Sequence, residues 1–201
     1  MMKLLFSGNS PYARRARVAV REAGLMAQVE EIDLTNNDAR LDVLLKHGPG
    51  GKVPMLVTDS GDALCESLLI CKYLDEVAGG VIYPSEPSAR VRCLAQESTA
   101  SVLLDSLFTR SRENRRPEED QSATVIAFEV ERAKRCYDAL EQSCAALGAR
   151  ADNGGYSVVI ALGYANFRHP NDGWRNGRLS LAAVYDELMQ RRALADTAPV
   201  F

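Results

Sequence analysis

Histidine is scarce in this sequence, which has 201 residues and two histidines, His47 and His169. Neither has a second metal ligand at helical spacing, as an HExxH motif would provide. A histidine-based catalytic triad is equally unsupported by so few candidates. We therefore expect neither a metal site nor histidine-dependent nucleophilic catalysis.

The cysteines do not form a recognisable framework either. Their number is odd and no CxxC pair occurs, so the sequence indicates neither a set of disulfides nor a zinc ribbon. Reduced and mostly buried thiols are expected at all five positions, which are Cys65, Cys71, Cys93, Cys136 and Cys144.

An excess of basic residues and long apolar runs are also missing. Twenty-four Lys and Arg stand against 27 Asp and Glu, a net charge of −3, whereas nucleic-acid binding favours a basic surface. No uncharged apolar run approaches the roughly 20 residues that cross a bilayer, and the start MMKLLFSGNSPYARR lacks a secretory signal. We expect a cytoplasmic protein that binds neither nucleic acid nor membranes.

The first part of the chain alternates strand and helix signals. Lys3–Phe6 is an apolar run, and Pro11–Ala23 has its apolar residues at i, i+3, i+4 and i+7, which predicts an amphipathic helix ended by Gly24. Residues 28–34 suit a second strand. Two strands joined by a helix predict a βαβ unit with parallel strands.

The next segments predict one more helix, a hairpin and a further helix. Asp38–Lys46 is helix-prone, Met55–Thr58 and Ala63–Cys65 flank a turn, and Ser67–Val77 has helical character. The order of elements up to residue 80 is therefore β-α-β, α, β-β-α.

Strand signals nearly vanish after a short proline-rich connector at Tyr83–Pro87. Helices are predicted at 88–110, 117–147, 156–168 and 179–192. The sequence thus predicts an α+β domain at 1–80, a linker at 81–87 and an all-α domain at 88–201.

Three motifs, in this order and spacing, are similar to those of the cytosolic glutathione transferases. SPYARRARVAV resembles the opening of the first helix of their thioredoxin-like domain, GKVPMLV the segment with their cis-proline, and ESLLICKYLDE their γ-glutamyl-binding turn and helix. Downstream, ALGYANFRHP, Trp174 and the TAP segment resemble a bacterial, serine-type subgroup. The resemblance implies a thioredoxin-like domain followed by an all-α domain, with glutathione as cosubstrate.

Ser10 has two interpretations. It precedes Pro11 and would cap the first helix, which alone explains a serine there. The resemblance instead makes it the catalytic residue that donates a hydrogen bond to the glutathione sulfur. Lowering a thiol pKa from about 8.5 to about 6.5 requires roughly 2.7 kcal/mol. A charge-assisted hydrogen bond supplies about 1.5 to 3 kcal/mol and a helix start about 0.3 to 2 kcal/mol.

The remaining glutathione contacts also come from the resemblance. Base rates favour a trans Val53–Pro54 bond, but the family has a cis bond there, with the Val53 backbone paired to the tripeptide. Lys52 would assist the glycyl end, or is a solvated lysine. Glu66 and Ser67 would hold the γ-glutamyl group, although a serine N-cap is the structural alternative.

The family implies an enzyme that activates glutathione as a thiolate for attack on a small hydrophobic electrophile, in detoxification, and that forms a homodimer. The electrophile is expected between the domains, near Tyr12, Leu104 and Phe108, although such residues are usually core. Two alternatives stay open. A thiol reductase would need cysteine at position 10, and a regulatory protein on this fold would bind glutathione or a partner without turnover.

One departure from the family concerns the start of the helix that contains ALGYANF. Relatives open this helix with a Ser/Thr-x-x-Asp capping box, but Gly155 occupies the aspartate position. Losing the box costs about 1 to 2 kcal/mol. We expect Asp152 or Asn153 to cap the helix instead.

Overall fold

The structure, a computed structural model, describes residues 1–199, which divide into two compact units. The first unit comprises Met1–Ser85 together with 192–199, and the second comprises Glu86–Arg191. In the first unit, Arg14 Nη2 donates to the carbonyl oxygen of Leu194 at 2.8 Å. This differs from the predicted division, which placed 192–199 in the all-α domain.

Four strands form one mixed sheet in the first unit: β1 (Met2–Phe6), β2 (Val29–Asp33), β3 (Met55–Val57) and β4 (Ala63–Leu64). Their order is β2-β1-β3-β4, with β1 and β2 parallel and the other two pairs antiparallel. The predicted βαβ unit and hairpin are therefore confirmed.

Eight helices accompany the sheet within residues 1–199. They are α1 (Pro11–Glu22), α2 (Arg40–Leu45), α3 (Ser67–Val77), α4 (Pro87–Glu113), α5 (Ala123–Leu147), α6 (Asn153–Arg168), α7 (Leu179–Leu188) and α8 (Arg192–Ala195). The β-α-β, α, β-β-α order of the first unit and the helical character of the second are confirmed. Among the described residues, no helix combines the length and apolarity needed to cross a bilayer.

One cluster of buried apolar side chains in the first unit packs β1 and β3 against α2. Burial of a large apolar side chain stabilises the fold by about 1.5 to 3 kcal/mol. The cluster ties the ends of β1 and β3 to α2, and its members are Leu5, Leu34, Leu44, Met55 and Val57.

The helical unit is built around α6, in which every residue from Asn153 to Ala165 is buried. The predicted helix at 117–147 begins only at Ala123, because Ser122 Oγ accepts a hydrogen bond from Val125 N at 3.3 Å and caps α5 there. The predicted helix at 179–192 stops at Leu188, and α8 belongs to the first unit.

Two glycines explain the unusual start of α6. A Cβ at Gly155 would lie 2.1 Å from the Arg150 carbonyl oxygen, and one at Gly154 would lie 2.7 Å from the Cys93 carbonyl oxygen. Only glycine permits these approaches. Asp152 Oδ1 accepts from Gly155 N at 3.1 Å, so the prediction of a replacement cap is confirmed for Asp152.

Candidate functional site

Ser10 lies where the loop after β1 meets α1. Its backbone is extended (φ −86°, ψ 118°), and its Oγ accepts a hydrogen bond from Ala13 N at 3.2 Å. Pro11 follows at the first helical position. The interpretation of Ser10 as a helix cap is thus confirmed, and a cap of this kind can still donate a hydrogen bond to a ligand. Because the hydroxyl oxygen accepts from the helix, its proton can donate away from the helix.

The environment of Ser10 favours an anion. The first turn of α1 contains no acidic residue, and the N–H groups at a helix start carry partial positive charge. Arg14 and Arg15 follow in the same helix and are buried, which adds basic charge close to its start. A negatively charged group beside Ser10 would therefore meet favourable electrostatics.

Arg15 joins the start of α1 to the start of α3. Its Nη1 donates to Ser67 Oγ at 3.0 Å, and both side chains are buried. The Ser67 oxygen accepts this bond, so the Ser67 hydroxyl proton can donate to another group. Arg15 of α1 thus holds the Ser67 hydroxyl in place at the start of α3.

The suggested serine cap of α3 is wrong by one residue. Glu66 occupies the N-cap position, with φ −87° and ψ 122°, and Ser67 is the first helical residue. Ser67 is held by Arg15 rather than by the helix backbone. Glu66 is exposed, and within residues 1–199 its side chain makes no capping hydrogen bond.

The Val53–Pro54 peptide bond is cis, as the resemblance implied. Pro54 is buried, Val53 is half-buried, and Lys52 is exposed at the entrance to β3. Gly51 precedes them with φ +55°, and a Cβ there would lie 2.7 Å from Leu41 Cδ1. The backbone at this turn therefore requires glycine.

The three residues suggested for an electrophile pocket differ in exposure. Tyr12 in α1 and Phe108 in α4 are half-buried, and the Arg112 guanidinium carbon lies 6.0 Å from the centre of the Phe108 ring. Leu104 is 0% exposed. Leu104 is therefore a core residue of the helical unit, which corrects its assignment to a pocket surface.

Sequence reasoning missed Arg15, although a signal was present. Arg15 lies four residues before Ala19 and therefore on the apolar stripe of α1. A basic residue on a buried face needs a partner, since an isolated buried charge is costly. Arg15 is buried, and the Ser67 hydroxyl oxygen is one such partner.

Comparison with known proteins identifies the family of this arrangement. The sequence pattern of the glutathione S-transferase N-terminal domain matches residues 9–77. A glutathione transferase family member from Pseudomonas fluorescens Pf-5, solved with bound glutathione, is 31% identical, with 100% of both chains covered and a TM-score of 0.92. A glutathione S-transferase from Methylobacillus flagellatus KT, solved with glutathione bound, is 28% identical over 100% of both chains, with a TM-score of 0.86.

A relative of nearly equal length is the GST-like protein YibF of Escherichia coli K12, 28% identical over 98% of each chain. Residues 9–77, which match the N-terminal domain of the family, contain Ser10, the cis Val53–Pro54 bond, Glu66 and Ser67. The likeness extends through the helical unit, so it covers both the thioredoxin-like and the all-α parts of the fold. The chain belongs to the cytosolic glutathione S-transferase family.

Proposed function

We propose that this chain is a transferase that binds glutathione in its first unit and activates it as a thiolate for attack on a small hydrophobic electrophile. The observation that carries the proposal is Ser10, whose oxygen caps α1 and whose proton can donate outward. The glutathione bound in the Pseudomonas fluorescens and Methylobacillus flagellatus proteins supports the choice of ligand.

The proposed chemistry needs only modest stabilisation of the thiolate. The glutathione thiol releases its proton to solvent, and the Ser10 hydroxyl donates a hydrogen bond to the resulting sulfur anion. The sulfur lone pair then forms a carbon–sulfur bond, and the leaving group departs with its electron pair. Donation and the helix start together supply at least about 1.8 kcal/mol, comparable to the roughly 2.7 kcal/mol of a two-unit pKa shift.

The rest of the tripeptide would be held by backbone and hydroxyl groups. The Val53 N–H and C=O would pair with the central cysteine residue in the manner of an added strand. Ser67, with its oxygen engaged by Arg15, would donate to the γ-glutamyl carboxylate at the start of α3. Glu66 would face the ligand's amino group, and the exposed Lys52 the glycyl carboxylate.

Tyr12 of the first unit remains a proposed electrophile contact, because it is half-buried and exposes part of an aromatic surface. A homodimer and a cytoplasmic role in detoxification complete the proposal, and they derive from the family. Light scattering on the purified protein measures its mass in solution. We expect twice the mass of one chain, and the mass of a single chain would contradict the dimer.

The decisive experiment is an ultraviolet titration of the thiolate of bound glutathione. We expect a thiol pKa near 6.5 with the unchanged protein and an increase of about 1 to 2 units in Ser10→Ala, which lacks the donor. Ser122→Ala is the matched control. Ser122 caps α5 in the helical unit, so its loss should cost about 1 kcal/mol of stability and leave the thiol pKa unchanged.

Two further measurements distinguish the outcomes. Calorimetry measures the binding of glutathione, and an assay with an activated aryl chloride measures whether a glutathione conjugate forms. If the unchanged protein fails to bind glutathione, the proposed function is lost. Binding with an ordinary thiol pKa and no conjugate would instead favour the alternative of a glutathione-binding regulatory protein. An unchanged thiol pKa in Ser10→Ala would remove the role proposed for Ser10.

A further inference from the structure

The loop that carries Ser10 is held by Thr35, which lies two residues after the end of β2. Gly8 N, in the middle of this loop, donates to Thr35 Oγ1 at 2.8 Å across 27 residues of sequence. Ser10 N donates to the Ser7 carbonyl oxygen at 3.0 Å, which closes the loop into a tight turn. Whatever fixes Gly8 therefore also fixes the approach of the chain to Ser10.

The Thr35 hydroxyl is oriented for this task by Asp33. Asp33 Oδ1 accepts both the Thr35 hydroxyl proton and the Thr35 N–H, the latter at 2.8 Å. The proton is thereby committed to a carboxylate, and an oxygen lone pair faces Gly8. A hydroxyl that donates to a carboxylate is also a stronger acceptor, since hydrogen bonds in a chain polarise one another.

The Thr35 bond extends the sheet beyond its last backbone pair. Phe6 and Asp33 are the final partners of β1 and β2, and Leu34 N donates to the Phe6 carbonyl oxygen at 2.8 Å. Gly8 and Thr35 each lie two residues beyond this last pair. The strand end of the loop is thus secured by Thr35, while the cap bond to Ala13 secures its helix end.

Positioning matters because a hydrogen-bond donor acts only over a narrow range of distance and angle, and small displacements reduce catalysis. We propose that Thr35, oriented by Asp33, is a positioning residue that holds Ser10 in place through Gly8. The inference rests on the proposed function, since it assigns Thr35 to the thiolate site of that function.

Three variants test this role by kinetics and by titration of bound glutathione. Thr35→Val removes the hydroxyl and keeps the shape, and kcat/KM should fall about tenfold at pH 6.5. The loss should shrink at high pH, where the thiol ionises unaided. Thr35→Ser restores the hydroxyl and should stay within about twofold of the unchanged protein.

Thr58→Val is the matched control in the same unit. Thr58 Oγ1 also accepts a backbone N–H, from Asp62 at 3.1 Å, but in the turn between β3 and β4. This variant should leave the thiol pKa and kcat/KM unchanged. Hydrogen exchange gives a second readout, because the Gly8 amide should exchange faster in Thr35→Val and not in Thr35→Ser or Thr58→Val.

The outcomes separate this inference from the function on which it rests. A thiol pKa in Thr35→Val equal to that of the unchanged protein, with Ser10→Ala still raising it, overturns the role of Thr35 alone. If the unchanged protein never lowers the thiol pKa, the proposed function fails and the role of Thr35 fails with it. Should Thr35→Val not fold, Asp33→Asn replaces it, with an expected loss of about threefold; an unchanged pKa there overturns the inference.

Discussion

Helices α1 and α6 begin in opposite ways. Ser10 caps α1 with a neutral hydroxyl and is half-buried. Asp152 caps α6 with a carboxylate and is buried, and Gly154 N already donates to Cys93 Sγ at 3.2 Å. The N–H groups of Gly154 and Gly155 at the start of α6 are thus bonded to the chain's own side chains. At α1, by contrast, the hydroxyl proton of Ser10 can donate to an incoming group.

The difference shows that a sulfur atom beside a helix start is not sufficient to make a thiolate. Burial, supported by the negative charges of Asp152 and Glu97, raises the pKa of the Cys93 thiol to about 12 in spite of the N–H bond from Gly154. At α1 the cap carries no charge and the first turn contains no acid. A neutral cap with solvent access is therefore the arrangement that can stabilise a sulfur anion.

The largest expected effect is in alkylation of the chain's own thiols. With a pKa of about 12, Cys93 is a thiolate in about one molecule in ten thousand at pH 8. Cys65 is partly exposed. We expect iodoacetamide to modify Cys65 at least about a thousandfold faster than Cys93 in the folded protein, measured by mass spectrometry of peptides. In urea, where the chain is unfolded, Cys65 and Cys93 should be alkylated at similar rates. Similar rates in the folded protein would contradict the prediction that Cys93 is kept as an unreactive thiol.

We call the start of α6 closed, because the N–H groups of Gly154 and Gly155 are bonded to the chain's own atoms, and the start of α1 open. Among single substitutions at the closed start, Gly155→Ala should reduce the stability of the fold most. The added Cβ would lie 2.1 Å from the Arg150 carbonyl oxygen, so the backbone must move. We expect a loss of about 3 kcal/mol in the free energy of unfolding by urea.

Gly50→Ala is the control for this effect, since a Cβ there meets nothing within 4 Å. Its cost should stay within about 0.5 kcal/mol. A Gly155→Ala variant as stable as Gly50→Ala would show that the start of α6 is not closed by backbone contact.

The two caps should also differ in their contribution to stability. Asp152→Ala removes the cap bond to Gly155 and the 2.7 Å ion pair with Arg150, and should cost about 2 kcal/mol. Ser10→Ala removes one cap bond at a half-buried position and should cost about 1 kcal/mol. Urea unfolding of both variants measures the loss in the free energy of unfolding. Equal losses would contradict the distinction between the closed start of α6 and the open start of α1.

The elements of the first unit could be predicted because their signals are local. Apolar periodicity and the Pro11 and Gly24 boundaries define α1, and Ser10 stands at its start by spacing alone. Thr35 could not be found in this way, since its bond to Gly8 spans 27 residues. The same holds for Gly155, whose need for glycine comes from the fold of the preceding turn.

The cis state of Val53–Pro54 illustrates a third case. Base rates favoured trans, and only the resemblance predicted the bond that the structure contains. The cap of α3 shows the limit of spacing, because the serine predicted as its cap is the first helical residue and accepts a bond from Arg15 instead.

The other end of α6 is closed as well, and it provides the smallest expected effect. His169 follows α6 and is buried, with Nδ1 accepting from Arg110 Nε at 3.2 Å and Nε2 lying 2.9 Å from the Leu107 carbonyl oxygen. Arg110 also pairs with Asp172. Burial, opposed by the bond to Leu107 and supported by the Arg110 charge, lowers the pKa of His169.

A lowered pKa in the folded state means that the unfolded chain binds this proton more readily. His169 should therefore leave stability unaffected above its unfolded pKa of about 6.5 and reduce it as the pH falls below that value, by at most about 1.4 kcal/mol per pH unit. His169→Gln should flatten the dependence of the unfolding free energy between about pH 6.5 and 5. His47→Gln, at an exposed loop position, should retain it, because His47 is not enclosed by the fold. If both variants kept the full slope, protonation of other groups would account for the acid sensitivity, and the closed carboxyl end of α6 would not contribute to it.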